Sequence, residues 1–167
     1  MPDVGCCGRS LISVGMLAEA STTVARTATA VLEAMRRENA VALLGLEPSC
    51  VSAIKDDWID LKGVGDRDAL RALAQRTFLV EEFLDRAWDR HPTRPVVPAP
   101  PAEPVILHGH CHQKALWSVE TSAGLLRRLV GDRLRVLDSG CCGLAGSFGY
   151  AAHRHDLSLR IGELSVF

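Results

Sequence analysis

The segment Leu134–Gly143, with the sequence LRVLDSGCCG, decides the fold of this chain. Its first four residues form a short apolar run interrupted by one arginine, which is typical of a strand. The polar residues Asp138 and Ser139 end this run, and the tetrapeptide Gly-Cys-Cys-Gly follows directly. The same tetrapeptide occurs at Gly5–Gly8. Two copies are too few for a solenoid, so the repeat indicates a duplicated unit.

The hydrophobic periodicity around these tetrapeptides alternates between helix and strand. Apolar residues at three- and four-residue steps predict helices at Leu11–Glu38, Asp66–Trp88, Gln113–Val130 and Ala151–Leu164. Short apolar runs predict strands at Ala40–Leu46, Val105–Leu107 and Leu134–Leu137. The order strand, cysteine loop, helix predicts an α/β fold with a mainly parallel sheet, flanking helices and cysteines at the carboxyl ends of strands. Ligands collect at that edge of such sheets.

The proline content predicts where the chain divides. Six of the eight prolines lie in the segment His91–Pro104, which is typical of an extended linker. We therefore expect a first unit at 1–90, a linker at 91–104 and a second unit at 105–167. The matching tetrapeptides predict that a pseudo-twofold axis relates the two units.

The composition excludes several classes of function. Nineteen Lys and Arg residues against twenty Asp and Glu residues give a net charge of −1, which provides no basic surface for nucleic acid. The longest apolar run, Ala40–Leu46, is far shorter than the roughly 20 residues of a membrane-spanning helix. The N-terminus has neither a basic lead nor a long apolar stretch, so it predicts no secretory signal. We expect a cytoplasmic protein.

The thiol content points to a class of chemistry. The six cysteines are Cys6, Cys7, Cys50, Cys111, Cys141 and Cys142. Stable disulfides are rare in a reducing cytosol, so this number of thiols indicates metal binding or redox chemistry. No glycine-rich phosphate loop follows a predicted strand, so the chain itself is not expected to bind a flavin or nicotinamide nucleotide.

Four motifs, in a fixed order, carry a resemblance to a known family. They are GCCG at Gly5–Gly8, LEPSC at Leu46–Cys50, HGHCHQKAL at His108–Leu116 and GCCGLAGSFG at Gly140–Gly149. Through them the chain resembles the cysteine-rich CCG domain along essentially its whole length. That domain occurs in one subunit each of heterodisulfide reductase and anaerobic glycerol-3-phosphate dehydrogenase, and in the iron–sulfur subunit of glycolate oxidase. The closest likeness is to the C-terminal iron–sulfur region of FAD-linked D-2-hydroxyacid dehydrogenases of the D-lactate type.

The resemblance implies a metal-ligand set. The cysteines would bind metal in two groups, one made of Cys6, Cys7 and Cys50 and the other of Cys111, Cys141 and Cys142. An iron–sulfur cluster of [4Fe–4S] type is implied, with zinc as the alternative, and three thiolates are one short of the four ligands of either centre. The extra ligand, or a residue that supports it, is expected from a partner chain or from Glu47, His110 or His112. A complete CCG unit has further cysteines on further strands, so we expect the chain to be clipped at both ends.

The resemblance also implies a function. The chain would be an iron–sulfur electron-transfer module of an FAD-linked 2-hydroxyacid dehydrogenase of the D-lactate or glycolate type. Such a module passes electrons from a reduced flavin, bound by a partner domain or subunit, to a quinone or another acceptor. Its expected location is the cytoplasm, or the inner face of the membrane through that partner. Two alternatives stay open: a cluster protein that acts on disulfides, and a zinc-bound or metal-free scaffold without activity of its own.

Overall fold

The structure, a computed structural model, describes residues 4–93, 99, 102–146, 148–164 and 166. The fold is mixed α/β and mostly helical. It divides into two compact units between Phe83 and Leu84. The unit boundaries expected at residues 90 and 104 stay a prediction, and residues 94–98, 100 and 101 of the predicted linker lie outside the described part. Among the described helices, none combines the length and the apolar character needed to cross a bilayer.

In the first unit, helices surround one short parallel sheet. Strands β1 (Leu43–Gly45) and β2 (Thr77–Leu79) pair in parallel, with Leu43 opposite Thr77 and Gly45 opposite Leu79. A π-helical segment covers Ala53–Asp57. The α-helices are α1 (Arg9–Ser13), α2 (Leu17–Arg37), α3 (Pro48–Ser52), α4 (Trp58–Asp60), α5 (Arg67–Gln75) and α6 (Val80–Ala87), the last of which crosses the division between the units.

Helix α2 supplies much of the core of the first unit. As its spacing predicts, it buries one stripe of residues, which includes Ala20, Val24, Ala28, Val31 and Met35. Leu17, which the three- and four-residue steps of apolar residues would place on the same stripe, is instead 53% exposed. The core residues that pack with this stripe include Ala53, Trp58, Val64, Leu70 and Leu73. The first unit therefore has a hydrophobic core of its own beneath the Gly5–Gly8 loop.

The prediction of a single helix at Asp66–Trp88 is wrong in the middle of the segment, because strand β2 interrupts the helix. Asp66 caps the first part of this segment, since its side chain accepts a hydrogen bond from the backbone of Asp68. Helix α5 then ends, and the Arg76 carbonyl accepts a hydrogen bond of 2.9 Å from Leu43 N. The Arg76 guanidinium also donates to the carbonyls of Ala40 and Val41. Pairing with β1 thus overrides the helical period of this segment.

Two other predicted helices are also divided. The helix predicted at Leu11–Glu38 breaks between α1 and α2, where Gly15 has a φ of +79°, a left-handed conformation that ends helices. The helix predicted at Gln113–Val130 consists of α7 (Cys111–Leu116) and α8 (Glu120–Val130). Ser118 lies between them with a φ of +75°.

The second unit contains the other parallel strand pair. Strand β3 (Val105–Leu107) lies at its predicted position, and β4 (Leu134–Val136) is one residue shorter than expected. Helix α9 (His155–Glu163) follows a short 3₁₀ turn at Ala152–Arg154. The α/β class is confirmed. In the described residues, however, the strands form two separate two-stranded sheets rather than a single one.

Candidate functional site

The first Gly-Cys-Cys-Gly loop is fixed to the core of its unit through its backbone carbonyls. Thr27 Oγ1 donates to the Cys6 carbonyl at 2.8 Å, and the indole nitrogen of the fully buried Trp58 donates to the Cys7 carbonyl at 2.8 Å. Gly8 closes the loop with a φ of +78°, and its N–H lies 3.4 Å from Cys6 Sγ. These contacts fix the backbone on both sides of the two thiols.

Cys50 reaches the same loop from helix α3, which begins directly after β1. Glu47 caps this helix, because its carboxylate accepts hydrogen bonds from Cys50 N at 2.7 Å and from the Ser49 hydroxyl. The sulfur atoms of Cys7 and Cys50 are 3.0 Å apart. Burial raises the pKa of the Cys50 thiol, and the neighbouring Cys7 and Glu47 side chains raise it further. Glu47 therefore holds the helix that carries Cys50, and its expected role as a ligand stays a prediction.

An ion pair ties the residue after this loop to the π-helical segment. Arg9 donates to the Asp57 carboxylate at 2.8 Å, and each side chain is 25% exposed. Lys55, from the same segment, donates to the Thr77 carbonyl at 3.0 Å. The segment Ala53–Asp57 thus connects the cysteine loop with strand β2.

In the second Gly-Cys-Cys-Gly loop the second glycine turns as it does in the first loop, whereas Gly140 lacks the positive φ of Gly5. Gly143 has a φ of +87°, and its N–H lies 3.4 Å from Cys141 Sγ. The Ser158 hydroxyl of α9 donates to the Gly143 carbonyl at 2.9 Å. In this loop a helical serine provides the kind of anchor that Thr27 provides in the first loop.

Cys111 begins helix α7, which follows β3 after three intervening residues, and it lies near the second loop. Burial raises the pKa of its thiol, and Cys141 and Cys142 are near enough to raise it further. His110 caps α7, since its Nδ1 accepts a hydrogen bond of 3.2 Å from His112 N. The two-residue step from His110 to His112 is that of a strand and would predict that both side chains point the same way, but this prediction is wrong, because the chain becomes helical at Cys111. Their rings nevertheless stack with centroids 5.5 Å apart.

Lys114 and His108 bind the segment that leads into the second pair of cysteines. Lys114 Nζ donates to the carbonyls of Ser139 and Gly140, the latter at 3.1 Å. His108 Nδ1 and the Ser139 hydroxyl are 2.7 Å apart. Burial lowers the pKa of His108, and the charges of Lys114 and His110 lower it further.

The structure brings the predicted site residues into two neighbourhoods, one in each unit. The six cysteines are free thiols, with Cys6 exposed and the others half-buried. Within the described residues, no three His, Cys, Asp or Glu side chains are arranged so that they could hold a metal ion. The metal-ligand assignments accordingly stay predictions. The sequence did not predict the side chains that donate hydrogen bonds to the backbone of the two loops, which are Thr27, Trp58, Ser158 and Lys114. Of these, only Lys114 lies in one of the four motifs, at His108–Leu116.

Comparison with known proteins identifies relatives of one general kind. The chain is 29% identical over 158 residues to a subunit of anaerobic glycerol-3-phosphate dehydrogenase from Escherichia coli K12, an alignment that covers 94% of this chain and 38% of that subunit. The same subunit from Escherichia coli O157:H7 gives equal values. D-2-hydroxyglutarate dehydrogenase of Escherichia coli K12 is 29% identical over 124 residues, or 74% of this chain and 11% of that protein. These relatives are dehydrogenases or dehydrogenase subunits.

The comparisons confirm part of the resemblance seen in the sequence. The likeness to the glycerol-3-phosphate dehydrogenase subunit is confirmed, and the chain spans about two fifths of that subunit's length. No protein-family model matches the chain, and no solved structure matches it. The narrower assignment of this chain to the CCG domain stays a prediction.

Proposed function

We propose that this chain is an iron–sulfur electron-transfer module of a dehydrogenase. The observation that carries the proposal is the repeated loop geometry. Each Gly-Cys-Cys-Gly loop has its second glycine at a φ near +80° and an N–H group 3.4 Å from the first cysteine sulfur. Each loop also lies near a third cysteine that follows a strand. The dehydrogenase relatives support the same interpretation.

The donor chemistry fits an iron–sulfur cluster or zinc. Thiolates are the ligands that both centres prefer. The first centre would be held by Cys6, Cys7 and Cys50, and the second by Cys111, Cys141 and Cys142, with Glu47, His110 or His112 near enough in sequence to complete them. A bound [4Fe–4S] cluster would supply one-electron transfer.

A metal ion that binds these thiols would have to displace their protons. Burial raises the pKa of the Cys50 thiol and of the Cys111 thiol, so each holds its proton more tightly than an exposed thiol does. A metal ion offsets that effect, because its positive charge stabilises the thiolate. The hydrogen bonds from Thr27, Trp58 and Lys114 to loop carbonyls keep the backbone in place while the thiols lose their protons.

The rest of the proposed reaction takes place on a partner. An FAD-binding domain or subunit would oxidise a 2-hydroxyacid or a related alcohol, and this chain would accept electrons from the reduced flavin. The electrons would leave to a quinone or another acceptor. The names of the relatives support a dehydrogenase partner, since one of them is a subunit of such an enzyme. We also infer that the two cysteine groups descend from one duplicated unit, as the shared loop geometry suggests.

Anaerobic reconstitution with iron and sulfide tests the proposal. We expect a brown protein with visible absorption and with iron and sulfide bound in similar amounts. The variants Cys50→Ser and Cys141→Ser should each lower the iron content by about half, because each removes a ligand from only one of the two groups. His91→Ala, which removes an exposed imidazole outside both groups, is the matched control and should bind as much iron as wild type.

The outcome separates the proposal from its alternatives. A colourless protein that binds zinc in proportion to the chain would favour the scaffold function. Iron content that is the same in both cysteine variants and in wild type would contradict the assignment of the ligands.

A further inference from the structure

The sulfur atoms of Cys7 and Cys50 form a contact that the electron-transfer function does not use. They lie 3.0 Å apart although their residues are 43 positions apart in the chain. A disulfide bond is about 2.05 Å long, so the two sulfur atoms need to approach by only about 1 Å. Both residues are half-buried, so a small oxidant reaches them.

A side-chain hydrogen bond to the backbone holds each of these two residues in place. The buried indole of Trp58 holds the Cys7 carbonyl, and the Glu47 carboxylate holds Cys50 N at the start of α3. Neither anchor involves a sulfur atom, so both persist when the thiols react.

Cys6 is a poorer partner for either residue. Cysteines adjacent in sequence close a disulfide only with strain in the peptide between them, which disfavours Cys6 with Cys7. Cys6 is exposed, and its sulfur lies 3.4 Å from the N–H of Gly8 in its own loop. Among the three cysteines of this group, the geometry therefore favours a disulfide between Cys7 and Cys50.

We propose that Cys7 and Cys50 are a modification site at which hydrogen peroxide or a related hydroperoxide forms a reversible disulfide. One thiol loses its proton and attacks the peroxide as a thiolate, the O–O bond breaks, and a sulfenic acid forms while the released hydroxide takes up the proton to give water. The second thiol attacks the sulfenic sulfur, so that the S–S bond forms, the S–O bond breaks and a second water leaves. Two thiols lose two electrons in total to one peroxide. A dithiol reductant reverses the reaction by exchange.

This modification goes beyond the proposed function, because it needs only the two free thiols and no metal. If it does bind one, the two states exclude each other, since the disulfide removes two of three thiolates from the first group. Oxidation would then prevent loading of that group and leave the second group unaffected.

Mapping the cross-link in the full chain tests the proposal. The metal-free protein is treated with hydrogen peroxide, its remaining thiols are alkylated, and its peptides are identified by mass spectrometry. We expect a Cys7–Cys50 cross-linked peptide that disappears after treatment with a dithiol. The Cys6→Ser variant should keep this peptide and Cys50→Ser should lose it. The oxidised wild type should also melt at a higher temperature than the reduced protein, because the cross-link constrains the unfolded chain.

Two results would overturn the proposal. One is the recovery of Cys7 and Cys50 as alkylated or sulfinic residues after the treatment. The other is a cross-link from either residue to Cys6. Failure of the wild type to bind iron would contradict the electron-transfer function, but it would leave the cross-link result as it stands.

Discussion

At the scale of single residues, glycine is required where each cysteine loop turns back onto a helix. Gly8 and Gly143 both have positive φ. A Cβ atom on Gly8 would lie 2.5 Å from Val24 Cγ2, whereas one on Gly143 would lie 2.0 Å from the Ser158 carbonyl oxygen. The first obstacle is a side chain and the second is helical backbone. The two loops therefore share the turn at their second glycine but differ in how tightly a helix packs against that turn.

Substitution of these glycines by alanine should lower the free energy of unfolding by different amounts. Gly15→Ala is the control, because Gly15 has a φ of +79° and no atom within 4 Å of its Cβ position. It should lower the free energy of unfolding by about 1–2 kcal/mol through backbone strain alone. Gly143→Ala should cost about 2–5 kcal/mol, since overpacking adds to the strain, and Gly8→Ala should fall between the two. Urea unfolding measures the series. Equal losses in the free energy of unfolding for all three variants would show that Val24 and the backbone at Ser158 move aside.

At the scale of the elements, Lys114 connects helix α7 to the segment between β4 and the second pair of cysteines. Its ammonium group donates to two carbonyls there, and charged hydrogen bonds of this kind contribute about 1.5–3 kcal/mol each. Lys114→Met keeps the aliphatic stem and removes both donors. Because Lys114 is only half-buried, the loss should be smaller than the sum of two such bonds. We expect the free energy of unfolding to fall by about 2–4 kcal/mol, as measured by urea unfolding.

An NMR titration of His108 tests the Lys114 contact without depending on global stability. Since the charge of Lys114 lowers the pKa of His108, the methionine variant should raise it. The pKa should still stay below its ordinary value, because burial is the larger cause. Lys62→Met, which removes the charge of an exposed lysine in the first unit, is the control and should leave the His108 pKa unchanged. An unchanged His108 pKa in Lys114→Met would show that the ammonium group is elsewhere in solution.

The elements also show what the sequence could and could not predict. Strand Val105–Leu107 is predicted correctly, because its three apolar residues stand between a proline and a histidine. Strand Thr77–Leu79 is missed, because its residues continue a helical period and its partner Leu43 lies 34 positions away. The contact between Cys7 and Trp58 joins residues 51 positions apart. Local patterns contain no information about such pairings, so the cysteines of the candidate site could be predicted and their anchors could not.

At the scale of the whole molecule, one half-buried thiol in each unit makes the stability of the metal-free chain depend on pH. Burial raises the pKa of Cys50 in the first unit and of Cys111 in the second above the ordinary value of 9.0. Above that pH the unfolded chain loses these protons and the folded chain keeps them. The unfolded state then binds fewer protons, so the free energy of unfolding falls as pH rises.

We therefore expect the free energy of unfolding to decline from about pH 9 upward through the loss of these thiol protons. Urea unfolding of the metal-free, reduced chain, followed by circular dichroism between about pH 7 and pH 10, measures the decline. Lysine and tyrosine side chains also titrate in this range, so the double variant Cys50→Ser, Cys111→Ser provides the comparison. A serine hydroxyl does not ionise there, so the double variant should show a shallower decline than wild type. Equal slopes in the two proteins would mean that water reaches both thiols and that neither site is desolvated in solution.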